Sequence, residues 1–456
     1  MHHYDAETDA LARAVIDTAL ARVRMDPPPL DGPRTADELA RTAGPTITEE
    51  GLGGAEALRI LRDVLAPATI SIDHPRFLAF VPAAPTEAAV LADLIVGASS
   101  IYAGSWMEGA GAVYAENVAL RFLADEIGFP DGAGGVFVSG GTAGNLSALV
   151  AARHRARARR TEQGRSRPHR WAIVGSAQAH SSIQAAADVM DCDIIDVPVD
   201  HESRLTGAAV RSRLHGLDAP TREGVFAVVA TGGTTNLGVV DDLDGLSTVC
   251  ADHDLWFHVD GAYGGAAVLA PSARPRFTGV ERADSFIVDP HKWLFAPFDS
   301  CALLYRDPRG ARDAHTQHAG YLDVLDTGEW NPSDFAHHLS RRARGVPFWF
   351  SLATHGIGAY REAIEHALAL ARDTAALIRA DPNLELVHEP ELSVVAFRRR
   401  GWQQAAYDAW SDRILRRGLA FIVPTATDEG PALRFCFINP RTTIADVELI
   451  LGTLGH

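Results

Sequence analysis

The sequence predicts an α/β fold in which a mostly parallel central sheet is flanked by helices. From Gly135 onward, short apolar runs such as GVFVSGG, WAIVGSA and GVFAVVATGG alternate with stretches of helical spacing. This alternation is typical of a parallel sheet covered by helices on both faces. The chain has 456 residues, of which 47% are hydrophobic, and this is enough to bury a substantial core. Ligands of such sheets bind in loops beyond the strand ends, so functional residues are expected there.

Two smaller regions flank the sheet. Residues 1–72 alternate helical patterns, such as DAETDALARAVIDTALARVR, with the breaker MDPPPLDGP. They are too few for an independent core, so we expect them to pack on the large domain, residues 73–345, or on a partner subunit. In residues 346–456 a long helical pattern precedes the apolar runs LAFIVPTA and ALRFCFIN. This order predicts a small α+β C-terminal domain.

Charge and cysteine usage exclude several classes of function. The net charge of -16 argues against a general affinity for nucleic acid or anionic membranes. No stretch approaches the roughly 18 uninterrupted apolar residues of a membrane span, and MHHYDAETDA lacks the order of a signal peptide. The four cysteines have no CxxC spacing, so neither a disulfide framework nor a metal site is indicated. We expect a cytoplasmic protein that acts on a small molecule.

Lys292 is the only lysine of the chain, since the other 41 of its 42 basic residues are arginines. A chain of this length would ordinarily contain on the order of twenty lysines. Arginine can replace lysine in an electrostatic role, but it cannot lose its proton and attack a carbonyl carbon. A desolvated lysine amine can become neutral near pH 7 and form an imine. The sequence therefore predicts that Lys292 forms an imine rather than being a chance survivor on the surface.

Two further features predict which aldehyde Lys292 binds. GVFVSGGTAGNLSAL is a strand, a glycine turn and a helix start, where free backbone N–H groups favour a phosphate. WFHVDGAYGG places Asp260 at the end of an apolar strand, where a carboxylate requires a cationic partner such as a protonated pyridine nitrogen. Each signal is weak alone, but with Lys292 they predict pyridoxal 5′-phosphate. The predicted phosphate cup comprises Gly140, Gly141, Thr142 and Ala143.

Three motifs carry a resemblance to a known family. DPHKW (289–293), HVDGAYGG (258–265) and SAQAHSS (176–182) resemble motifs of the group II pyridoxal-phosphate decarboxylases, which include aromatic amino acid, tryptophan and glutamate decarboxylases. The resemblance runs from about HPRFLAFVP to RFCFINPRTT, most of the chain. It implies the type I aminotransferase-like fold and decarboxylation of an L-amino acid. It also implies an obligate homodimer with the active site at the subunit interface, in which residues 1–72 would serve dimerisation.

The resemblance implies a role for each matching residue. Lys292 matches the Schiff-base lysine, and Asp260 matches the partner of the pyridine nitrogen. His180 matches a histidine that stacks on one face of the ring and helps to place the substrate carboxylate, while Ala262 packs against the ring. Thr235 matches a threonine near the cofactor. Positions around the phosphate are matched by Gly141, Thr142, Ala143 and His291.

Two departures from the family pattern concern the chemistry. Residue 289 is Asp where the family has an asparagine beside the phosphate, which is unfavourable unless the acid turns away or meets an arginine. The loop HAGYLDVLDTGEWNPSDFAHHLSRRAR has no tyrosine at the position of the family's proton donor, which falls near Asn331 or Pro332, and Tyr321 lies too early. Relatives without that tyrosine can let oxygen consume the carbanion, giving an aldehyde, ammonia and peroxide. His180, which some of those relatives replace, is retained.

A third departure concerns the substrate side chain. Loss of bulk at two positions of the family's aromatic pocket suggests a side chain larger or less flat than an aromatic ring, and a bulky S-substituted cysteine is one possibility. The matching pocket residues are Ile72, Phe80, Val81, Tyr102 and Gly104.

Four activities therefore remain open. The first is decarboxylation of an amino acid to its amine, and the second is decarboxylation coupled to oxidative deamination. A transaminase would instead convert an added 2-oxo acid into an amino acid. A cofactor-binding interaction protein would retain the phosphate cup, Asp260 and Lys292 but would turn over no amino acid.

Overall fold

The seven apolar runs between Gly134 and Tyr305 form one sheet, which confirms the predicted α/β fold. The computed structural model describes residues 2–317, 328–427 and 430–455. Its α-helices are α1 Ala6–Val23, α2 Ala36–Ala43, α3 Gly54–Ile60, α4 Glu87–Ser99, α5 Trp106–Ile127, α6 Gly141–Glu162, α7 Ser181–Met190, α8 Gly207–His215, α9 Ala219–Gly224, α10 Leu243–His253, α11 Arg309–His315, α12 Val346–Ala380, α13 Gln404–Arg416 and α14 Ile444–Leu451.

The large sheet has the spatial order β1-β7-β6-β5-β4-β2-β3. All neighbours are parallel except β7, which runs antiparallel to both β1 and β6. The mostly parallel arrangement is the one that the alternation of strands and helices predicts. The strands are β1 Gly134–Val138, β2 Ala172–Gly175, β3 Asp193–Asp196, β4 Val225–Thr231, β5 Trp256–Asp260, β6 Ser285–Val288 and β7 Cys301–Tyr305.

Helices bury both faces of this sheet. On β4, Val228 lies in one hydrophobic cluster and its neighbour Val229 lies in the other. The same alternation is seen on β7, where Leu303 and Leu304 belong to different clusters. Successive side chains of a strand point to opposite faces, so these strands must be apolar throughout rather than at every second residue. This explains why they read as unbroken apolar runs in the sequence.

A second, antiparallel sheet lies near the C-terminus, within the range predicted as a small domain. It comprises β8 Leu384–Leu386, β9 Val394–Arg399, β10 Thr425–Thr427 and β11 Gly430–Cys436, in the order β10-β11-β9-β8. The segment around Leu78 joins it, because Leu78 N donates to the Phe421 carbonyl and Cys436 N donates to the Leu78 carbonyl. The residues that precede α4 thus contact the C-terminal region.

The N-terminal helices contribute almost nothing to the core of a single chain. Neither α1 nor α2 has a buried residue, and Val15, Ile16 and Met25 are exposed. An ion pair between Arg22 and Asp73 ties α1 to the main body. Among the residues that the structure describes, no helix is long and apolar enough to cross a membrane.

A fully buried ion pair joins α5 to the segment before α12. Arg341 donates two hydrogen bonds to Glu116, at 2.7 and 2.8 Å, and two more to the carbonyls of Ala103 and Phe137. Glu116 also accepts a hydrogen bond from Gly345 N. Burial of an ion pair is costly, but removal of one partner costs more because the other charge is left uncompensated.

Glu116→Gln is therefore expected to lower the free energy of unfolding by about 3–5 kcal/mol, measured by urea denaturation. The matched control is Asp412→Ala, which removes an exposed ion pair with Arg416 on α13 and is expected to cost less than about 1 kcal/mol. Equal losses in the two variants would show that the buried pair does not hold these elements together.

Candidate active site

A cleft of about 610 Å³ opens where β4, β5 and β6 end. Such a position, beyond the carboxyl ends of parallel strands, is where α/β proteins bind ligands. The N-terminus of α6 and residues 423–425 and 434 of the C-terminal region close its other sides. The predicted residues that line it are Phe80, Val81, Gly140, Gly141, Thr142, His180, Thr235, Asp260, Ala262, His291 and Lys292.

Four predicted residues do not line the cleft of the single chain. Ala143 packs against the core beneath α6. Ile72 packs into a small cluster with Phe77. Tyr102 donates from its hydroxyl to the Leu339 carbonyl, and the Gly104 carbonyl accepts from Ser333 N. Within one chain, only Phe80 and Val81 of the five predicted substrate-pocket residues therefore face the cleft.

The glycine turn before α6 approaches the strand ends closely. A Cβ on Gly141 would lie 3.2 Å from the Ala262 Cβ and 3.4 Å from Asp289 Oδ2, and a Cβ on Gly144 would lie 3.0 Å from Ile287. Any side chain would crowd this contact. The first backbone N–H groups of a helix have no partner within it, so the turn presents free donors beside the loops after β5 and β6. This arrangement fits a phosphate.

The amine of Lys292 is held by Asp289. Lys292 Nζ lies 2.8 Å from Asp289 Oδ2, and only 1% of Asp289 is exposed. The carboxylate therefore neither turns away nor meets an arginine, the two outcomes expected for an acid at this position. It meets the lysine three residues later, because the turn after β6 brings the two side chains together.

This ion pair shifts the pKa of each of the two groups towards the charged form. Burial disfavours ionisation of Asp289, but Lys292 and His291 outweigh it and hold the pKa of that carboxyl below its ordinary value. Burial alone would likewise lower the pKa of Lys292, but Asp289 raises it above its ordinary value. Asp289 therefore favours the protonated amine, whereas desolvation alone would favour the neutral one.

Asp260, at the end of β5, is held by two neutral donors. Its Oδ2 accepts from Asn145 Nδ2 at 2.8 Å, and its Oδ1 accepts from Ala262 N at 3.0 Å. Only 5% of the residue is exposed. Neither hydrogen bond brings a positive charge, so the carboxylate can still pair with a cationic group in the cleft. Asn145 was missed by the sequence analysis, although it lies in the first turns of the helix that follows the glycine turn.

His180 caps the helix on another side of the cleft. It is the N-cap residue of α7, and its Nδ1 lies 2.9 Å from Ser182 Oγ and accepts from Ser182 N at 3.2 Å. These bonds fix the ring through Nδ1. His291 is more buried, and burial lowers its pKa despite the neighbouring Asp289.

Arg434 enters the cleft from β11 and was also missed. Its Nη1 donates to the Phe80 carbonyl at 2.7 Å, and the residue is only 6% exposed. Among the described residues, its Nε and Nη2 have no hydrogen-bond partner. A buried guanidinium with two unpaired nitrogens indicates an anionic ligand. In the sequence, Arg434 resembles any other polar residue of a strand.

Comparison with known proteins decides the family. The family model described as the pyridoxal-dependent decarboxylase conserved domain matches residues 49–400. The chain belongs to the pyridoxal-dependent decarboxylases. Pyridoxal 5′-phosphate is therefore the cofactor of this decarboxylase, and its reaction class is that of a carboxy-lyase.

Individual relatives agree with this assignment. The decarboxylase is 32% identical over 429 residues to aromatic-L-amino-acid decarboxylase of Bacillus atrophaeus, covering 91% of this chain and 88% of that protein. The structure of Oryza sativa TDC with PLP and tryptamine has a TM-score of 0.90 and 26% identity, covering 100% and 99% of the two chains. Rhodiola rosea 4-hydroxyphenylacetaldehyde synthase, with a TM-score of 0.86, 24% identity and coverage of 99% and 98%, has the same fold. The predicted fold type I is thereby confirmed.

In the cofactor-free decarboxylase, Asp289→Asn is expected to lower the pKa of Lys292, because an opposite charge in contact is removed. The measurement is the pH dependence of the rate at which an amine-reactive reagent labels Lys292, read by peptide mapping. Asp299→Asn is the control. Asp299 lies in the same loop as Asp289, but it pairs with Arg344 instead of Lys292. An unchanged midpoint in Asp289→Asn would contradict the account of this ion pair.

Proposed function

We propose that this decarboxylase removes the α-carboxylate of an L-amino acid and releases the amine, with pyridoxal 5′-phosphate attached covalently to Lys292. The observation that carries the proposal is the amine of the only lysine, which lies in the strand-end cleft together with Asp260 and the glycine turn. When bound, the cofactor supplies an electron-withdrawing protonated ring that stabilises the carbanion left at Cα. Asp260 would hold the ring nitrogen protonated, because its carboxylate is fixed by two neutral donors and forms no ion pair with the described part of the chain.

The remaining cleft residues have proposed roles of binding and orientation. The turn of Gly140, Gly141 and Thr142 would bind the phosphate through backbone N–H groups, and Asp289 would keep Lys292 protonated until the cofactor arrives. His180 and Ala262 would contact the two faces of the ring. Thr235 and His291, which line the same cleft, would contact the cofactor from the side.

Arg434 supports an amino acid as the substrate. Its two unpaired nitrogens can form a bidentate pair with a carboxylate, and we infer that they bind a carboxylate of the substrate. Phe80, whose side chain is exposed, lines the same cleft, and its carbonyl accepts a hydrogen bond from Arg434. The substrate would therefore be held by its carboxylate, with part of its side chain near an apolar surface.

Arg434→Met is expected to raise KM by about 10- to 100-fold, since charge-assisted hydrogen bonds contribute about 1.5–3 kcal/mol each. Steady-state kinetics with the preferred substrate measure the change. Arg398→Met on the neighbouring strand β9, which does not line the cleft, is the matched control. A normal KM in Arg434→Met would exclude this residue from carboxylate binding.

The reaction to an amine needs a group that returns a proton to Cα. The positions where the family has its tyrosine donor favour a second candidate reaction. Asn331, one of the two positions aligned with the family's tyrosine, is buried, and its side-chain oxygen accepts from Trp106 N. Tyr321 lies outside the described residues. Tyr263 lines the cleft, but its hydroxyl is bonded to Ser393 at 2.6 Å, and burial raises its pKa. If none of the tyrosines returns a proton to Cα, oxygen could consume the carbanion, giving an aldehyde, ammonia and peroxide.

Product analysis separates the candidates. The holoenzyme is incubated in air with aromatic, acidic and S-substituted cysteine amino acids, and the products are identified by mass spectrometry. An amine without peroxide supports the proposed decarboxylation, whereas an aldehyde with ammonia and peroxide supports the oxygen-consuming reaction. No product from any amino acid would refute both and favour a binding protein. An amino acid formed from an added 2-oxo acid would instead identify a transaminase.

If an aldehyde is formed, Pro332→Tyr is expected to raise the ratio of amine to aldehyde, because its hydroxyl could return a proton to Cα. Pro332→Phe controls for the bulk of the new ring without its hydroxyl. An identical product ratio in the two variants would mean that the absence of a tyrosine is not the cause of aldehyde formation.

We further infer a homodimer whose interface completes the cleft. Large apolar side chains are exposed on α4 and α5, namely Leu91, Leu94, Ile95, Met107 and Tyr114. Large apolar side chains exposed on these two helices favour an interface that would cover them. The pocket residues that do not line the cleft of their own chain, Ile72, Tyr102 and Gly104, are proposed to serve the substrate site through this assembly. The four buried free cysteines agree with the proposed cytoplasmic location.

A further inference from the structure

A chain of hydrogen bonds runs through the core behind Asp260. Trp256 Nε1 donates to Ser285 Oγ at 2.8 Å, and Ser285 Oγ lies 2.8 Å from His258 Nδ1. His258 Nε2 lies 2.8 Å from Asn145 Oδ1, and Asn145 Nδ2 donates to Asp260 Oδ2 at 2.8 Å. Every member of this chain is buried. The chain therefore forms a single network that is shielded from water.

The two ends of the chain determine the position of each proton. An indole nitrogen only donates and a carboxylate only accepts. Asp260 only accepts, so the NH2 of Asn145 faces it and Asn145 Oδ1 faces His258 Nε2, which must carry a proton to donate. A neutral His258 then has no proton on Nδ1, so Ser285 Oγ donates its hydrogen to Nδ1 while it accepts from Trp256. Burial lowers the pKa of His258 to about 4, in agreement with this neutral tautomer.

The second amide hydrogen of Asn145 bonds to Ser182, which lies beside His180 on the other side of the cleft. Asn145 Nδ2 also donates to Ser182 Oγ at 2.8 Å. Ser182 Oγ then has its own hydrogen free for His180 Nδ1, 2.9 Å away. His180 thus accepts at Nδ1, and when neutral it carries its proton on Nε2. Only a primary amide can accept from an imidazole and donate twice at this position.

We propose that Asn145 is a positioning residue that fixes the carboxylate of Asp260 and the tautomer of His258, and that orients the Ser182 hydroxyl towards His180. This inference rests on the proposed function, in which Asp260 pairs with the ring nitrogen and His180 contacts the ring. Alanine at residue 145 would leave the His258 Nε2–H without an acceptor and would remove one of the two donors to Asp260. Aspartate would set a second carboxylate against Asp260, which is unfavourable.

The test is a double-mutant cycle on the holoenzyme, read as the dissociation constant of pyridoxal 5′-phosphate and as kcat. Asn145→Ala is expected to change each by at least about 10-fold, the effect of losing a hydrogen bond to a charged group. In an Asp260→Asn background the same substitution should have less than about a third of that effect, because Asn145 acts through Asp260. Ser147→Ala is the control, since Ser147 is buried on the same helix and bonds to Ala143 and His337.

The outcomes separate this inference from the function on which it rests. If Asp260→Asn weakens cofactor binding but Asn145→Ala does not, or if the two effects simply add, the positioning role is refuted and the proposed function stands. If Asp260→Asn leaves cofactor binding unchanged, the proposed function itself fails. Asn145→Ser, which keeps one donor, is tested in the same cycle in case Asn145→Ala does not fold.

The histidine tautomers can also be measured in the cofactor-free protein, where no turnover occurs. Nitrogen NMR of 15N-histidine-labelled protein, assigned by difference from His180→Gln and His258→Gln, reports which ring nitrogen carries the proton. The wild type is expected to have both histidines protonated on Nε2. Asn145→Ala is expected to give a mixture of tautomers at His258, which loses its acceptor, whereas the Ser182 N–H keeps the His180 tautomer unchanged. An unchanged His258 tautomer in Asn145→Ala would overturn the proposal.

Discussion

The register between β5 and β6 is the constraint on which the cleft depends. Asp260 is paired with Ile287 across these two parallel strands, so Asp289 follows only two residues beyond that pair and Lys292 three residues later. Parallel strands end at the same edge of the sheet, and both carboxylates therefore meet the glycine turn before α6. A shift of one residue would turn every side chain to the opposite face and separate Asp260 from Asn145. The buried hydrogen bonds of Ser285 on β6 to Trp256 and His258 on β5 oppose such a shift.

The cleft also has an uneven distribution of charge. Asp289 has its own cation in Lys292, whereas among the described residues the hydrogen bonds of Asp260 come from the neutral N–H donors of Asn145 and Ala262. Arg434 is the reverse case, a buried cation whose Nε and Nη2 have no acceptor among the described residues. Burial of an unpaired charge is costly. The site therefore has one unmatched carboxylate and one unmatched guanidinium, which suits a ligand that brings a cationic ring nitrogen and a carboxylate.

The sheet could be predicted from the sequence, because its strands are buried on both faces and read as apolar runs. Lys292 could also be singled out from the sequence, since the absence of any other lysine is visible without a structure. Asn145 and Arg434 could not be singled out from the sequence, because their proposed roles depend on which side chains the fold brings against them. The ion pair of Lys292 with Asp289 could not be predicted for the same reason, as nothing in DPHKW indicates that Asp289 turns back onto the amine. Tyr102 and Gly104 match a substrate pocket in the sequence, yet they face residues 333–339 in the single chain.

Covalent attachment at Lys292 is the central claim of this account. Borohydride reduction of the holoenzyme, followed by peptide mapping, tests it most directly, because no other lysine exists to replace Lys292. The account predicts a visible absorbance that reduction abolishes, pyridoxal phosphate fixed to the peptide containing Lys292, and no such product in Lys292→Arg. A bound, reducible chromophore that persists in Lys292→Arg would contradict it.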